Sequence, residues 1–276
     1  MRGVLLCIFL LIGATLGAQF SFTLGTGAAS VSMGRTSVCL DGPSAILGNQ
    51  AAMIESNSFS LTANAARRYN IEGLDFFSVG AIYPTSLGQF GISIQQYGFK
   101  GYKEQKVGLA YARKIAANTG ISIQGNVLNL TQFEFGSKSY FSIEIGLYSK
   151  LSDRVYLGAH LFAPASQELD EEYGLPSRIR MGPRILVAEN TDIFVEIEKV
   201  IDQDPFIKTG IEYRMNNVFA VRLGFIPEPS EFSFGFAYSF GQKLNIDGGF
   251  LYDQRLGISP TVGIQYQSGG TTEIEP

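Results

Sequence analysis

The chain has 276 residues, with 21 Lys and Arg against 25 Asp and Glu, and a net charge of −4. An acidic chain without a basic run argues against nucleic acid as a partner, and the single histidine argues against a zinc site or a histidine-based catalytic centre. Cys7 and Cys39 are its cysteines. We expect Cys7 to be removed with the N-terminus, so no internal disulfide is expected. No metal and no cofactor are expected either.

The N-terminus has the pattern of a secretory signal peptide. Arg2 supplies a positive charge, residues 4–16 form an apolar run, and small residues precede Gln19. The run is too short to cross a membrane as a helix. We therefore predict a signal peptide over residues 1–18 and a mature chain that begins at Gln19.

Residues 19–57 do not alternate between apolar and polar and are rich in Gly, Ala and Ser. The run Asp41-Gly42-Pro43 predicts a helix start, because proline is tolerated in the first turn of a helix. Residues 44–54 are predicted to form one short helix. Cys39 is interpreted as a small packing residue rather than a nucleophile.

Residues 58–267 repeat one unit about fourteen times, each with roughly ten residues of apolar/polar alternation and a turn. In residues 231–241, five aromatic residues alternate with small ones, so a strand would place all five on one face. The strands of a soluble β-sandwich also alternate between apolar and polar residues. In this chain, however, tight connections alternate with longer ones, which favours a barrel.

We therefore predict an all-β fold: a transmembrane antiparallel up-and-down β-barrel of about 14 strands in the outer membrane, with its outer face on lipid. Residues 19–57 are predicted to form a short helical plug in its lumen, and residues 268–276 a flexible tail.

Longer, external connections are predicted at residues 98–104, 131–138, 164–175, 227–231 and 253–257. The connection 164–175 is strongly acidic. We interpret it as a solvated loop. Docking of a partner or binding of calcium is the alternative, although its spacing matches no calcium loop motif.

Charged residues of inward parity collect on consecutive predicted strands. They are Arg178, Arg180, Arg184, Glu196, Glu198, Lys208, Glu212, Arg214 and Arg222. Buried ions must be paired or hydrated. One interpretation is a polar eyelet for small hydrophilic solutes, and the other is a structural network that holds the plug. On either interpretation, the charges on this side of the barrel wall argue against a hydrophobic tunnel through the lumen.

Pro183 lies inside the predicted eighth strand. Proline cannot donate a ladder hydrogen bond, so a bulge is expected there. A wall kink that opens sideways is the functional interpretation, and a local bulge near the rim is the other.

The predicted plug carries a motif of small residues, Met-Gly, an acidic residue and an Asn-x-Ala group. Its residues are Gly27, Met33, Gly34, Asp41, Asn49, Gln50 and Ala51. The motif resembles the N-terminal signature of PorV/PorQ-type and FadL-type outer-membrane proteins, in which proline occupies the position of Gln50. The resemblance implies a 14-stranded barrel with an N-terminal plug. The signal cleavage site is similar to those of Bacteroidetes-type secreted proteins.

The short chain favours the PorV/PorQ side of this resemblance. The PorV/PorQ resemblance implies an accessory or docking component of a type IX-like secretion and surface-attachment apparatus. Its partner would be a protein in the outer membrane or a secreted cargo protein. The alternative is a FadL-like channel or transporter for a small substrate. No enzyme is expected, because His160 has inward parity and lacks the nearby serine of barrel lipases.

Overall fold

The structure is a computed structural model that describes residues 27–133, 136–164, 177–201, 203–241 and 243–269. The predicted signal peptide, residues 19–26, the acidic loop from residue 165 to residue 176 and the tail from residue 270 lie outside them. No helix in the described part of the chain is long and apolar enough to span a membrane.

Within the described residues, fourteen antiparallel strands close into one barrel in chain order, and β1 pairs with β14. The strands are β1 Ser60–Arg67, β2 Asp75–Thr85, β3 Gly88–Phe99, β4 Tyr102–Ala116, β5 Thr119–Gln132, β6 Gly136–Lys150, β7 Val155–Pro164, β8 Arg178–Ala188, β9 Thr191–Val200, β10 Phe206–Arg214, β11 Phe219–Ile226, β12 Glu231–Phe240, β13 Leu244–Asp253 and β14 Gly257–Gln267. The predicted barrel and its strand count are confirmed.

The two ends of the barrel differ. We call the end with the connections that follow odd-numbered strands the loop end, and the opposite end, where β1 begins, the turn end. The prediction of long connections at residues 98–104 and 131–138 is wrong. Strand β3 runs to Phe99 and β4 begins at Tyr102, and Gln132 of β5 pairs with Gly136 of β6. Most of the residues in these two ranges therefore extend the strands instead of forming loops.

The outer face carries the apolar half of each alternating strand. Phe232, Phe234 and Phe236 of β12 are between 41% and 46% exposed, whereas Ser233 between them is buried. Ile and Leu side chains are exposed in the same way on the neighbouring strands. A large apolar surface of this kind suits contact with lipid tails rather than with water.

Residues 27–56 lie inside the lumen against its inner wall and are called the N-terminal segment from here on. The segment contains helix α1 (Ala28–Val31) and two 3₁₀ helices, Gly42–Leu47 and Gln50–Glu55. Its apolar side chains form one buried cluster with inward-facing wall residues. The barrel therefore has a second layer of chain packed against its inner wall.

The single helix predicted over residues 44–54 is wrong. The first 3₁₀ helix ends at Leu47. Asn49 caps the second one by accepting a hydrogen bond from the backbone N–H of Ala51. An Asn side chain favours this local bond over a continuous helix.

Inward glycines line the wall where the N-terminal segment packs. A Cβ atom added at Gly80 would lie 2.4 Å from Ile46 Cγ2, and one added at Gly210 would lie 2.8 Å from Met33 Cβ. Other inward glycines in comparably close contact with the segment are Gly91, Gly120, Gly146, Gly158, Gly224, Gly235 and Gly263. The absence of side chains at these positions makes room for the segment, which gives much of the high glycine content a structural reason.

Pro183 changes the ladder less than predicted. Met181 pairs with Ile197 and Arg184 pairs with Phe194, so the register between β8 and β9 is unchanged across the proline. The expected bulge lies nearer the turn end, between residues 186 and 188. Gly182 and Pro183 have no ladder partner on β9. Even so, a Cβ atom at Gly182 would lie 1.9 Å from the carbonyl oxygen of β9 residue 195, so the two strands stay in contact.

Candidate functional site

The charged residues predicted from parity form two separate groups of ion pairs, and Arg180 belongs to neither. The first group contains the pairs Arg178–Glu198 (3.2 Å), Lys208–Glu196 (2.9 Å) and Lys208–Glu198. The second contains Arg184–Asp192 (2.7 Å), Arg214–Asp192 (2.9 Å), Arg214–Glu212 (3.0 Å), Arg222–Glu212 (2.7 Å) and Arg222–Asp247 (2.5 Å). Burial of so many ions is tolerable because each finds an opposite charge or several hydrogen bonds.

Glu196 joins the first of these groups to the N-terminal segment. Its Oε2 accepts hydrogen bonds from the backbone N–H groups of Ser37 (2.7 Å) and Val38 (2.9 Å), while its Oε1 pairs with Lys208. Hydrogen bonds to a carboxylate are stronger than those between neutral groups. Glu196 is therefore an anchor that holds the middle of the segment to the wall.

Arg180 forms a second anchor. Its guanidinium donates to Ser37 Oγ (2.6 Å), to the carbonyl oxygen of Gly48 (2.9 Å) and to His160 Nδ1 (2.9 Å). A guanidinium can only donate, so Nδ1 accepts and Nε2 carries the imidazole hydrogen. His160 Nε2 then donates to Glu144 Oε2 at 3.0 Å. His160 is thus a neutral link between two charged groups in the lumen wall.

The remaining anchors involve residues of the sequence motif. Asp41 pairs with Arg184 at 2.7 Å near the turn end. Asn49 Nδ2 donates to the carbonyl oxygen of Leu147 at 2.9 Å. Gln50 begins the second 3₁₀ helix, a position that would also accept proline, and its Nε2 donates to Glu144 Oε2 at 3.1 Å.

Other motif residues are packing positions. The backbone N–H of Gly34 donates to Ser233 Oγ at 2.8 Å. Gly27 precedes α1 and lies against Asn64, whose Oδ1 accepts from the backbone N–H of Ala28 at 2.9 Å. Met33 and Ala51 are fully buried. The structure brings the motif together with the charged wall, and its role as a plug stays a prediction.

The loop half of the lumen has an apolar cluster on the opposite wall, beside the buried charged residues Glu104 and Lys106 of β4. Its buried cluster consists of Phe76, Tyr97, Leu128, Leu130 and Tyr140 on β2–β6. The charged residues of β8–β11 therefore do not represent the whole lining of the lumen. The argument from this wall against a hydrophobic tunnel does not extend to the apolar cluster.

An open pocket lies in the same half of the barrel. Its empty volume is about 650 Å³, including the part open to solvent. Phe76 and Tyr97 line one side, Leu251 lines another, and Val31 of α1 contributes to its lining from the N-terminal segment. Arg35, which also lines the pocket, forms an ion pair of 2.8 Å with Glu231. Most of the exposed lining of the pocket is apolar, and its charged lining residues are Arg35, Arg68 and Glu231.

Several site residues were not singled out from the sequence. Lys106 and Glu144 form a buried ion pair of 2.8 Å, Asp192 and Asp247 complete the charged wall, and Arg35 pairs with Glu231. The same parity rule places the strand residues inward, so the signal was present. Within the described residues, no group of three or more His, Cys, Asp or Glu is arranged to hold a metal.

Cys39 is expected to be unreactive in the folded protein. It is 2% exposed, and its Sγ lies 3.1 Å from the carbonyl oxygen of Gly182, to which the thiol donates. Burial, reinforced by the Glu196 carboxylate, raises the pKa of the Cys39 thiol to about 12. Only about one thiol in ten thousand would then be ionised at pH 8. Maleimide labelling should be negligible in the folded protein and complete in denaturant, and rapid native labelling would contradict this placement.

Solved structures with the same barrel include outer-membrane channels. CymD, a monoaromatic hydrocarbon channel, superposes with a TM-score of 0.69 at 10% identity, over 89% of this chain and 98% of that one. The Ralstonia pickettii toluene transporter TbuX gives 0.65 at 15% identity, over 89% and 99%. A Pseudomonas aeruginosa FadL homologue gives 0.63 at 13% identity, over 88% and 98%.

The chain has the FadL-like barrel fold. No protein-family profile and no curated protein matches its sequence, so the likeness lies in the fold. The neighbours of this FadL-like barrel are channels and transporters rather than enzymes.

Proposed function

We propose that this FadL-like barrel is an outer-membrane channel for small apolar molecules. The observation that carries the proposal is the apolar pocket in the loop half of the lumen, directly above the N-terminal segment. In this proposal a ligand enters from the external, loop end, while the segment closes the turn half and lipid surrounds the outer face.

The composition of the pocket agrees with such a ligand. Phe76 and Tyr97 belong both to the pocket and to the apolar cluster of β2–β6. Pockets for small molecules are mostly apolar, with few polar groups that fix orientation. The hydrocarbon channels that share the fold support the same class of ligand.

The secretion-accessory role implied by the PorV/PorQ resemblance has no support from these structures. The protein partner in the outer membrane and the secreted cargo protein are not tested by any observation. The described loop-end connections differ in length: two residues separate β3 from β4 and three separate β13 from β14, whereas seven separate β1 from β2.

Substitution of Ala66 tests the pocket. Ala66 lines it and packs against the apolar cluster, so A66F should fill it and weaken binding of toluene at least about tenfold, or about 1.4 kcal/mol. Binding is measured by calorimetry on purified protein. The control is A63F, because Ala63 lies on the same strand with its side chain exposed on the outer face. Equal binding by A66F and A63F would contradict the proposal.

A further inference from the structure

The connection between β1 and β2 turns inward at the loop end of the barrel. Residues 68–70 form a short 3₁₀ turn, called the inward turn from here on. The pairing of β1 with β14 ends at Ala66 and Thr261. Beyond this pair, the backbone N–H of Tyr69 donates to Ser259 Oγ at 2.8 Å, and Ser259 is a buried residue of the inner face of β14. The inward turn therefore lies against the inside of the wall.

The inward turn has a backbone conformation that bulky residues seldom adopt. Tyr69 has φ 54° and ψ 19°, and Asn70 has φ 55°. Glycine visits this left-handed region freely and asparagine tolerates it, but tyrosine is an outlier there. Such residues persist only where the surrounding structure over-determines them, and they collect at functional sites. The conformation of Tyr69 therefore points to a role at the pocket beside it.

Contacts on both sides fix the connection that carries the inward turn. The backbone N–H of Arg68 donates to the carbonyl oxygen of Leu74 at 2.9 Å, and Leu74 packs against the apolar cluster of the loop half. A Cβ atom at Gly73 would lie 3.1 Å from Phe99 Cβ, so the connection also contacts β3. Since Ser259 binds it from β14, the connection is fixed from both neighbouring sides.

The inward turn contributes to the lining of the pocket. Among the lining residues that the structure describes, Arg68 and Tyr69 come from this turn. The Arg68 guanidinium lies 4.7 Å from the centroid of the Tyr69 ring, and its Nη2 donates to Tyr69 Oη at 2.7 Å. A cation over an aromatic ring is attracted to it. Arg68 therefore restrains the Tyr69 ring at the loop end of the pocket.

Tyr69 and α1 limit the pocket at two ends of the same stretch of β14. The backbone N–H of Tyr69 reaches Ser259, whereas a Cβ atom at Gly263 would lie 3.0 Å from Ala28 Cβ of α1. Thr261 lines the pocket between them. Four residues of an antiparallel strand span ~14 Å. Along this wall, the space between Tyr69 and α1 therefore has the length of a small aromatic molecule.

We infer that Tyr69 is a specificity-determining residue that limits the length of the apolar molecule accepted by the pocket. This inference rests on the proposed function and adds the property of the ligand by which the pocket selects. A molecule longer than the wall between α1 and Tyr69 must displace the inward turn. That displacement breaks the hydrogen bond to Ser259 and the contact with Arg68, so short aromatic hydrocarbons are preferred over long ones.

Truncation of Tyr69 tests this selection. The dissociation constants of toluene and n-hexylbenzene are measured by calorimetry on the purified barrel, and the ratio of the hexylbenzene constant to the toluene constant is compared between variants. Y69A should lower this ratio at least about tenfold, because several more methylene groups can then be buried and each favours binding about fourfold. Y69F, the conservative variant, keeps the ring and should restore the ratio.

Two further variants separate the ring from its surroundings. Y83A makes the same truncation on the outer face, where Tyr83 is 62% exposed, and should leave the ratio unchanged. S259A removes the acceptor of the Tyr69 N–H bond. It should lower the ratio less than Y69A does, because the inward turn is then held by fewer contacts.

The outcomes separate the selection from the proposed function. An unchanged ratio in Y69A with toluene binding retained, or an equal fall in Y83A, would overturn the role of Tyr69 and leave the channel proposal intact. If Y69A loses toluene binding, S259A decides, and an unchanged ratio in that variant overturns the inference. Absence of toluene binding by the parent protein would overturn the proposed function, and this inference with it. A fall confined to Y69A and S259A would support both.

Discussion

A variant that lacks residues 20–55 is expected to conduct ions steadily in a planar bilayer, whereas the intact barrel stays silent. The N-terminal segment packs inside the lumen, and its removal exposes a wall of glycines and paired charges to water. Arg180 and Glu196, which bind the segment in the intact protein, would then face water. The free-energy cost of an ion without a protein partner is small in water. Single-channel recording of the two refolded proteins measures the difference.

The control for this experiment is the fold of the truncated barrel, checked by its heat-dependent migration and its strand content. Steady conductance from the intact protein that changes on charge reversal at Arg180 would contradict a closing segment and would favour an open polar eyelet. Silence of a folded, truncated barrel would contradict it as well.

The second large effect is expected from Glu196→Gln. The amide would meet the N–H groups of Ser37 and Val38 and the ammonium of Lys208, and it has lost the charge that these three donors share. Removal of one partner from a buried ionic group costs about 3–5 kcal/mol. Opening of the segment should become roughly a hundred-fold or more frequent. The labelling rate of Cys39 by maleimide reports this opening.

The matched control is Glu198→Gln, which removes a neighbouring buried carboxylate. Glu198 pairs with Lys208 and Arg178, and no contact of it with the N-terminal segment is described. Labelling of Cys39 should therefore stay slow in E198Q. If the two variants label at the same rate, Glu196 acts only within the wall and is not an anchor of the segment.

The barrel itself was predictable because its signal is local. Alternation such as that of Phe232 to Phe240 depends only on neighbouring residues, and a strand converts it directly into two faces. The same rule places Arg178, Glu196 and Lys208 inward. It fails at residues 98–104 and 131–138, where strands extend past the predicted loops, because a turn and the end of a polar strand have similar composition.

The N-terminal segment and the pocket were predictable only in outline. The break after Leu47 depends on a local cap by Asn49 and on long-range bonds to Leu147 and Glu144. The pocket collects residues of β1–β3 and β12–β14 with α1. No window of the sequence contains these residues together.

By itself, the sequence determined an alternating chain of about fourteen strands, the inward or outward side of each strand residue, and an N-terminal segment too small in its side chains to form a core alone. Only the tertiary structure decided which partners those residues meet. Closure of the barrel brings Glu196 onto Ser37, 159 residues away in the chain, and gathers Phe76, Tyr97 and Leu128 into one apolar cluster. Period and parity are properties of neighbouring residues, whereas pairing inside a lumen depends on how the whole sheet closes.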